Sequence, residues 1–127
     1  MNWYKIAQTS NELKQLETAL EAKYPGLDLY IWENKDKIEI AQIRLPKNLQ
    51  GKGIGSSVIR EIQQYAQKIG KVIVLMPAPE SRKKKALDNF YKNLGFIANK
   101  GRHKDWQLSS FFGPTMYWKP NKTDKVD

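Results

Sequence analysis

Gln50-Gly51-Lys52-Gly53-Ile54-Gly55 is the stretch of this chain whose residue types and spacing could most directly do chemistry. It follows an apolar segment that ends at Leu45-Pro46, and after Gly53 it runs straight into a helical pattern. The first N–H groups of a helix have no partner inside it and carry partial positive charge, and glycines let the backbone close on an oxyanion. That is the chemistry of a diphosphate site. Spacing excludes two other phosphate motifs: the dinucleotide fingerprint needs Gly-x-Gly-x-x-Gly, and a P-loop needs Gly-x-x-x-x-Gly-Lys followed by Ser or Thr. Taken alone, a Gly-rich connection that holds no ligand is the simpler reading of these six residues.

The turn needs elements to hold it. Trp3 to Ala7 reads as a short strand, and Thr9 with Glu12 three residues on is a capping box opening a helix. Leu13, Leu16, Leu20 and Tyr24 share one face of that helix, which Pro25-Gly26 stops. Leu27, Leu29 and Ile31 then alternate with Asp28, Tyr30 and Trp32, Asn34-Lys35-Asp36 turns the chain, and Ile38 to Leu45 returns, so a hairpin is expected. From Gly53 to Gly70 the residues Ile54, Val58, Ile62, Tyr65 and Ile69 recur at helical spacing. Val72 to Met76 is an apolar, β-branched run suited to a strand buried on both faces, ended by Pro77-Ala78-Pro79. A second amphipathic helix presents Leu87, Phe90, Tyr91 and Leu94, and Gly95 followed by Phe96 predicts a Schellman stop. A strand from Phe96, a long polar connection from Asn99 to Gly113 and a last strand at Thr115 to Trp118 complete one mixed α/β (α+β) domain over residues 1–120, with 121–127 a loose tail.

Composition narrows the function. The 127 residues suit one domain. With no cysteine and one histidine, disulfides, thiolate metal sites and cysteine nucleophiles are excluded, and no metal is expected. No apolar run approaches the length of a membrane span or a signal peptide, so a cytoplasmic protein is expected. Lys plus Arg number 22 against 13 Asp plus Glu, a formal charge of +9. That excess favours anionic partners, and it serves equally as solubilising surface.

The strand, the Gln-x-x-Gly-x-Gly turn, the amphipathic helix and the next strand are followed, about 40 residues on, by Asn89-Phe90-Tyr91-Lys92-Asn93-Leu94-Gly95-Phe96. In this order, from Ile38 to Phe96, they closely resemble the acetyl-CoA-binding half of GNAT-superfamily N-acetyltransferases. The resemblance implies a GNAT-like fold, with a central, mostly antiparallel mixed sheet flanked by helices, and an enzyme that moves an acetyl group from acetyl-CoA to a primary amine by direct attack in a ternary complex. It implies that the backbone of Gln50, Gly51, Lys52, Gly53, Ile54 and Gly55, with Ser56, holds the pyrophosphate, and that Ile43 and Leu45 pair with the pantetheine arm. The Leu45 amide would polarise the thioester carbonyl; Pro46 sits one place earlier than in the usual pattern. Tyr91 matches the tyrosine that resembling enzymes use as general acid towards the leaving thiolate. Asn89 and Lys92 are placed near the cofactor.

The base for the amine proton is assigned to Glu39, on the strand that lines the cleft, with Glu33, Asp105 and a water chain as competitors and His103 read as an exposed loop residue. Arg82, Lys83, Lys84 and Lys85 cluster where the second amphipathic helix begins, the end its dipole makes unfavourable for cations. An anion there, the 3′-phosphate of coenzyme A or an anionic acceptor, would relieve it. Nothing in the sequence names the acceptor: a small amine, a protein amine and an RNA-linked acceptor such as an aminoacyl-tRNA all stay open, with Trp32, Trp106, Phe111 and Phe112 as candidate lining. A monomer and a homodimer are both open. Two other readings are a module that binds acyl-CoA without catalysis, and a basic nucleic-acid-binding domain that stacks bases on Trp3, Trp32, Trp106 and Phe111.

Overall fold

Helix α1 (Asn11–Lys23) buries Leu13 and Leu20, two turns apart, so the apolar stripe read in the sequence faces the core. The structure, a computed structural model, describes residues 11–77, 84–110 and 114–121. The strand expected at Trp3 to Ala7, the capping Thr9, Pro79, Arg82, Lys83, Phe111, Phe112 and residues 122–127 of the expected tail lie outside the described residues.

Strands β1 (Asp28–Glu33) and β2 (Lys37–Arg44) form the expected hairpin. Its turn is set by Asn34, whose Oδ1 accepts from the N–H groups of Asp36 and Lys37 at 2.8 and 2.9 Å. Helix α2 (Ile54–Ile69), strand β3 (Val72–Leu75), helix α3 (Lys84–Asn93), strand β4 (Ile97–Asn99) and strand β5 (Thr115–Trp118) follow. β3 stops one residue short of the expected end, and Met76 is exposed. The connection read as long and polar is itself folded: two short 3-10 turns, Gly101–His103 and Trp106–Leu108, are pinned by buried Asn99, which bonds the backbone of Asp105 in both directions.

The sheet order is β1-β2-β3-β5-β4, with β2 parallel to β3 and the other neighbours antiparallel, which is the mixed α/β architecture expected. α2 and α3 are crossovers that step the same way along the sheet, and right-handed connections put both on one face. Their contact confirms it, since Gln63 Nε2 donates to the Leu94 carbonyl at 2.7 Å. α1 lies alongside α2, linked through Lys23–Glu61 and Lys68–Glu12. α2 supplies much of the core: Val58, Ile59, Ile62 and Ala66 are fully buried. At about 1.5–3 kcal/mol for each buried Val or Ile this face stabilises by several kcal/mol, and Ile62→Ala would cost about 2–5 kcal/mol. The opposite face of the sheet is roofed by the connection from Lys100 to Ser110, which inserts Leu108 as its buried anchor.

One irregularity sets up the site. The β2–β3 ladder ends at Ile40 opposite Leu75, although β2 continues to Arg44. On its other side β2 pairs Gln42 with Tyr30 and Ile40 with Ile31, so Ala41 is the extra residue of a β-bulge. A bulge bends its strand and increases the local twist. Beyond it β2 and β3 part, leaving a gap between them.

Candidate active site

β2 is the rail along which the site is laid. Leu45, the residue just past its far end, helps line a cleft of about 630 Å³ together with the glycine turn and Ala86, Leu87 and Phe90 of α3. Ile40 to Arg44 line a second cleft, about 260 Å³, in the gap left by β3, with Leu87 and Tyr91 as its helical wall. Lys37 and Glu39 line a third, about 590 Å³, beneath the folded connection. Leu87 is shared by the first two clefts, and Leu75 and Met76 by the second and third. The three therefore adjoin one another in a row, from the turn, past the gap in the sheet, to the opposite face. Eight residues of strand span roughly 26 Å at about 3.3 Å per residue.

The turn is shaped to receive an anion. Gly51 and Gly53 have φ of +76° and +78°, and a Cβ built on either would meet nothing within 4 Å, so both the conformation and the open space are those of glycine. Gly53 caps α2 without a side-chain bond, and the first helical bond is Ser57 N–H to the Gly53 carbonyl at 3.1 Å. The N–H groups of Ile54, Gly55 and Ser56 have no acceptor among the described residues. Three donors and the positive end of a sixteen-residue helix thus converge on the first cleft. The Gln50 N–H, expected among the donors to the pyrophosphate, bonds the Lys47 carbonyl at 3.2 Å, while Gln50 Nε2 donates to the Leu45 carbonyl at 2.9 Å and closes the turn. Lys52 is exposed.

Ile43 sits in the gap. Ile43 stands opposite Leu29, whose own N–H turns outward to Glu21 at 3.2 Å, so theirs is a non-hydrogen-bonded pair of the antiparallel ladder and the Ile43 N–H points to the side that β3 has left. It is a backbone donor available to an extended ligand. Leu45 lines the cleft of the glycine turn, not the one that Tyr91 lines.

Tyr91 is held by local structure that the sequence announces. Gly95, at φ +96°, ends α3 in a Schellman motif: the Phe96 N–H bonds the Tyr91 carbonyl and the Gly95 N–H that of Lys92, each at 3.0 Å. The accompanying apolar contact is the edge-to-face pair of Tyr91 with Phe96, centroids 5.7 Å apart, and Phe90 packs on Tyr91 in the same way. The ring is fixed, while its hydroxyl makes no hydrogen bond among the described residues and opens on the second cleft. Burial pushes the phenol up from 10.0 to about 12, so it is protonated throughout the neutral range.

The carboxylates separate clearly. Glu39, half-buried, lines the third cleft, and no hydrogen bond or ion pair engages it among the described residues. Glu33, its competitor in the sequence, is buried on the helical face, where it accepts from the Tyr65 hydroxyl at 2.5 Å and the Lys71 ammonium at 2.6 Å. Desolvation, then the bond to Glu33, pushes the Tyr65 phenol well above its usual range. Asp105 caps the turn that begins at Trp106, accepting from the Gln107 N–H at 3.0 Å. Both competitors are thus committed to structure.

The remaining residues named from the sequence are placed as follows. Asn89 and Lys92 are exposed on α3 and line none of the three clefts. Lys85 is exposed; Arg82, Lys83 and the side chains of Lys84 and His103 lie outside what is described. Trp106 lines the third cleft and is 75% exposed, whereas Trp32 is half-buried beside β2. Sequence reasoning missed Leu87 and Met76 as shared walls, and Lys37, Lys104 and Ser109 as lining. Leu87 carried a signal, an apolar helical position, that pointed to the core; the others carried none. Among the described residues no group of three or more His, Asp or Glu could hold a metal ion, and no helix is long and apolar enough to cross a membrane.

Comparison with known proteins agrees with this geometry. No curated protein matches the sequence. The fold is similar to that of the anti-CRISPR protein AcrVA5, with a TM-score of 0.56 and 22% identity over 74% of this chain and 90% of that one. It is similar also to GCN5 from Tetrahymena, with a TM-score of 0.55 and 16% identity over 75% of this chain and 60% of that one. Ard1 from Thermoplasma volcanium gives a TM-score of 0.51 and 18% identity over 93% of this chain and 88% of that one. Residues 25–96, which hold the hairpin, the glycine turn and Tyr91, match the profile of the Acetyltransferase (GNAT) family. The chain belongs to that family.

Proposed function

We propose that this protein is an acetyl-CoA-dependent N-acetyltransferase that moves the acetyl group to a primary amine by direct attack in a ternary complex. The observation that carries this reading is the row of adjoining clefts along β2, with unpartnered helix N–H groups at one end, a tyrosine hydroxyl without a partner at the middle and a carboxylate without a partner at the other. Bound acetyl-CoA supplies an activated thioester.

The chain's own groups then divide the work. The amides of Ile54, Gly55 and Ser56 hold the pyrophosphate, and the open space at Gly51 and Gly53 admits it. The Ile43 N–H, in the cleft of Tyr91, suits the role of oxyanion donor better than that of Leu45, which lies by the turn. The acceptor enters from the third cleft, and Glu39 takes the amine proton directly or through water. As the nitrogen–carbon bond forms and the carbon–sulfur bond breaks, the Tyr91 hydroxyl donates to sulfur. Burial that raises the phenol also raises the thiolate formed beside it, so donor and acceptor stay matched.

Calorimetry with acetyl-CoA, comparing wild type with Gly53→Glu, tests the reading, because glutamate puts bulk and charge where the pyrophosphate belongs. Binding that vanishes in a folded variant supports it. Absence of binding by the wild type would sink it, and binding without transfer to any amine would favour a non-catalytic acyl-CoA module.

A further inference from the structure

The third cleft has a chemical character that the acetyl-transfer reading leaves unused. Its walls bring together two cations, Lys37 and Lys104, with Glu39, yet neither ammonium lies within ion-pair distance of that carboxylate. Lys37 donates to the Gln107 carbonyl at 3.1 Å, which tethers the ammonium and leaves it two further donors. The Lys104 ammonium lies 4.3 Å from the centroid of the Trp106 ring, and that ring is 75% exposed. Ser109, on the same wall, adds a neutral hydroxyl. The cleft thus offers, along its walls, one unpaired anion, two positioned cations and a flat aromatic surface. The chain as a whole carries a net charge of +9. Like charge repels a polyamine or a lysine-rich tail, and complementary charge steers an acidic ligand in.

We propose that the acceptor is a primary amine that itself carries an acidic group, with its nitrogen on Glu39 and its anion on Lys37 and Lys104. This deepens the acetyl-transfer reading and rests on it. A volume of about 590 Å³ holds a small amino acid or the first residues of an acidic peptide, and the anion is the feature they share.

The test compares acceptors with and without the acid: phenylalanine against phenethylamine, and peptides that begin Ala-Glu against Ala-Gln and against Ala-Lys, each by kcat/KM at saturating acetyl-CoA. The acidic member of at least one pair should be better by about tenfold or more; the first pair winning identifies a free amino acid, the second a peptide N-terminus. Lys104→Met and Lys37→Met should each remove most of that preference and leave the acid-free partner within about twofold, a control for the Lys37 tether on the connection. Preference for the acid-free or basic members, or equal loss on both members, overturns the proposal. Where no amine is acetylated, calorimetry of the same compounds against coenzyme A-saturated protein decides: acidic amines binding more tightly than their partners supports it, and no discrimination overturns it. Failure to bind acetyl-CoA at all would be the separate failure of the parent reading.

Discussion

Gln50 Nε2 donates to the Leu45 carbonyl at 2.9 Å, tying the end of the strand that lines the clefts to the glycine turn that follows it. The bond spans five residues and closes the loop through Pro46, so it fixes how the N–H groups of α2 are presented to the first cleft. Gln50→Ala should therefore weaken acetyl-CoA binding by about three- to tenfold, the equivalent of a hydrogen bond near 1 kcal/mol, with little change in thermal stability. Gln50→Glu should be worse, because a carboxylate cannot donate to a carbonyl and repels the phosphates. Calorimetry checks both; equal affinity in all three proteins would remove Gln50 from the site.

Tyr91 offers a cleaner separation of chemistry from structure. Its hydroxyl has no partner among the described residues, so Tyr91→Phe should fold with an unchanged melting temperature. Loss of a general acid should lower kcat by about 100-fold or more and leave the KM for acetyl-CoA alone. The raised phenol adds a pH signature. Below pH 10 folded and unfolded chains both hold the proton; between 10 and about 12 the unfolded chain ionises first, and stability falls. Above about 12 the loss levels at about 2–3 kcal/mol, by the two-unit shift. Denaturation across this window should show Tyr91→Phe keeping stability that the wild type loses, with Tyr65, also raised, accounting for part of the remaining decline.

What could be read from the sequence is what local chemistry decides. Gly51, Gly53 and Gly95 announced a turn and a helix stop, because positive φ is a property of a few neighbouring residues. The hairpin and α2 followed from periodicity, and their ends agree within a residue or two. The site was legible where it coincides with those motifs. It was not legible where distant segments meet: Lys37 and Gln107 are 70 residues apart in the chain, and nothing near either one signals the other. Glu33 and Glu39 read alike as carboxylates on neighbouring strands. Only the tertiary partners Tyr65 and Lys71, 32 and 38 residues from Glu33, assign one to the core and leave the other to the cleft.

That assignment can be tested by exchanging the two. Glu39→Gln should lower kcat by about 100-fold without affecting acetyl-CoA binding, as expected for a lost base. Glu33→Gln should leave kcat per folded molecule unchanged. Lys71→Met should instead destabilise the fold by about 3 kcal/mol, because it leaves the buried carboxylate without its cation. Removing both charges, Lys71→Met with Glu33→Leu, should recover most of that loss in urea denaturation. A double variant as unstable as the single one would mean that packing around Lys71, not charge, is what matters.

The outer edge of β1, which pairs with no other strand among the described residues, supplies the last test, since an unpaired edge invites another chain. Here α1 covers it chemically: Glu17 Oε2 accepts from the Ile31 N–H at 3.1 Å and Glu21 Oε2 from the Leu29 N–H at 3.2 Å. The fit is geometric, because residues i and i+4 of a helix repeat at about 6 Å, close to the spacing of alternate N–H groups on a strand. Glu17→Ala with Glu21→Ala should cost about 2–4 kcal/mol through two donors left without acceptors, and should raise concentration-dependent self-association in sedimentation velocity. Glu17→Gln, which keeps an acceptor oxygen, should lose about 1 kcal/mol or less and sediment as the wild type does. If the double alanine variant also matched the wild type in stability and sedimentation, the carboxylates would be incidental, and another segment would have to protect this edge.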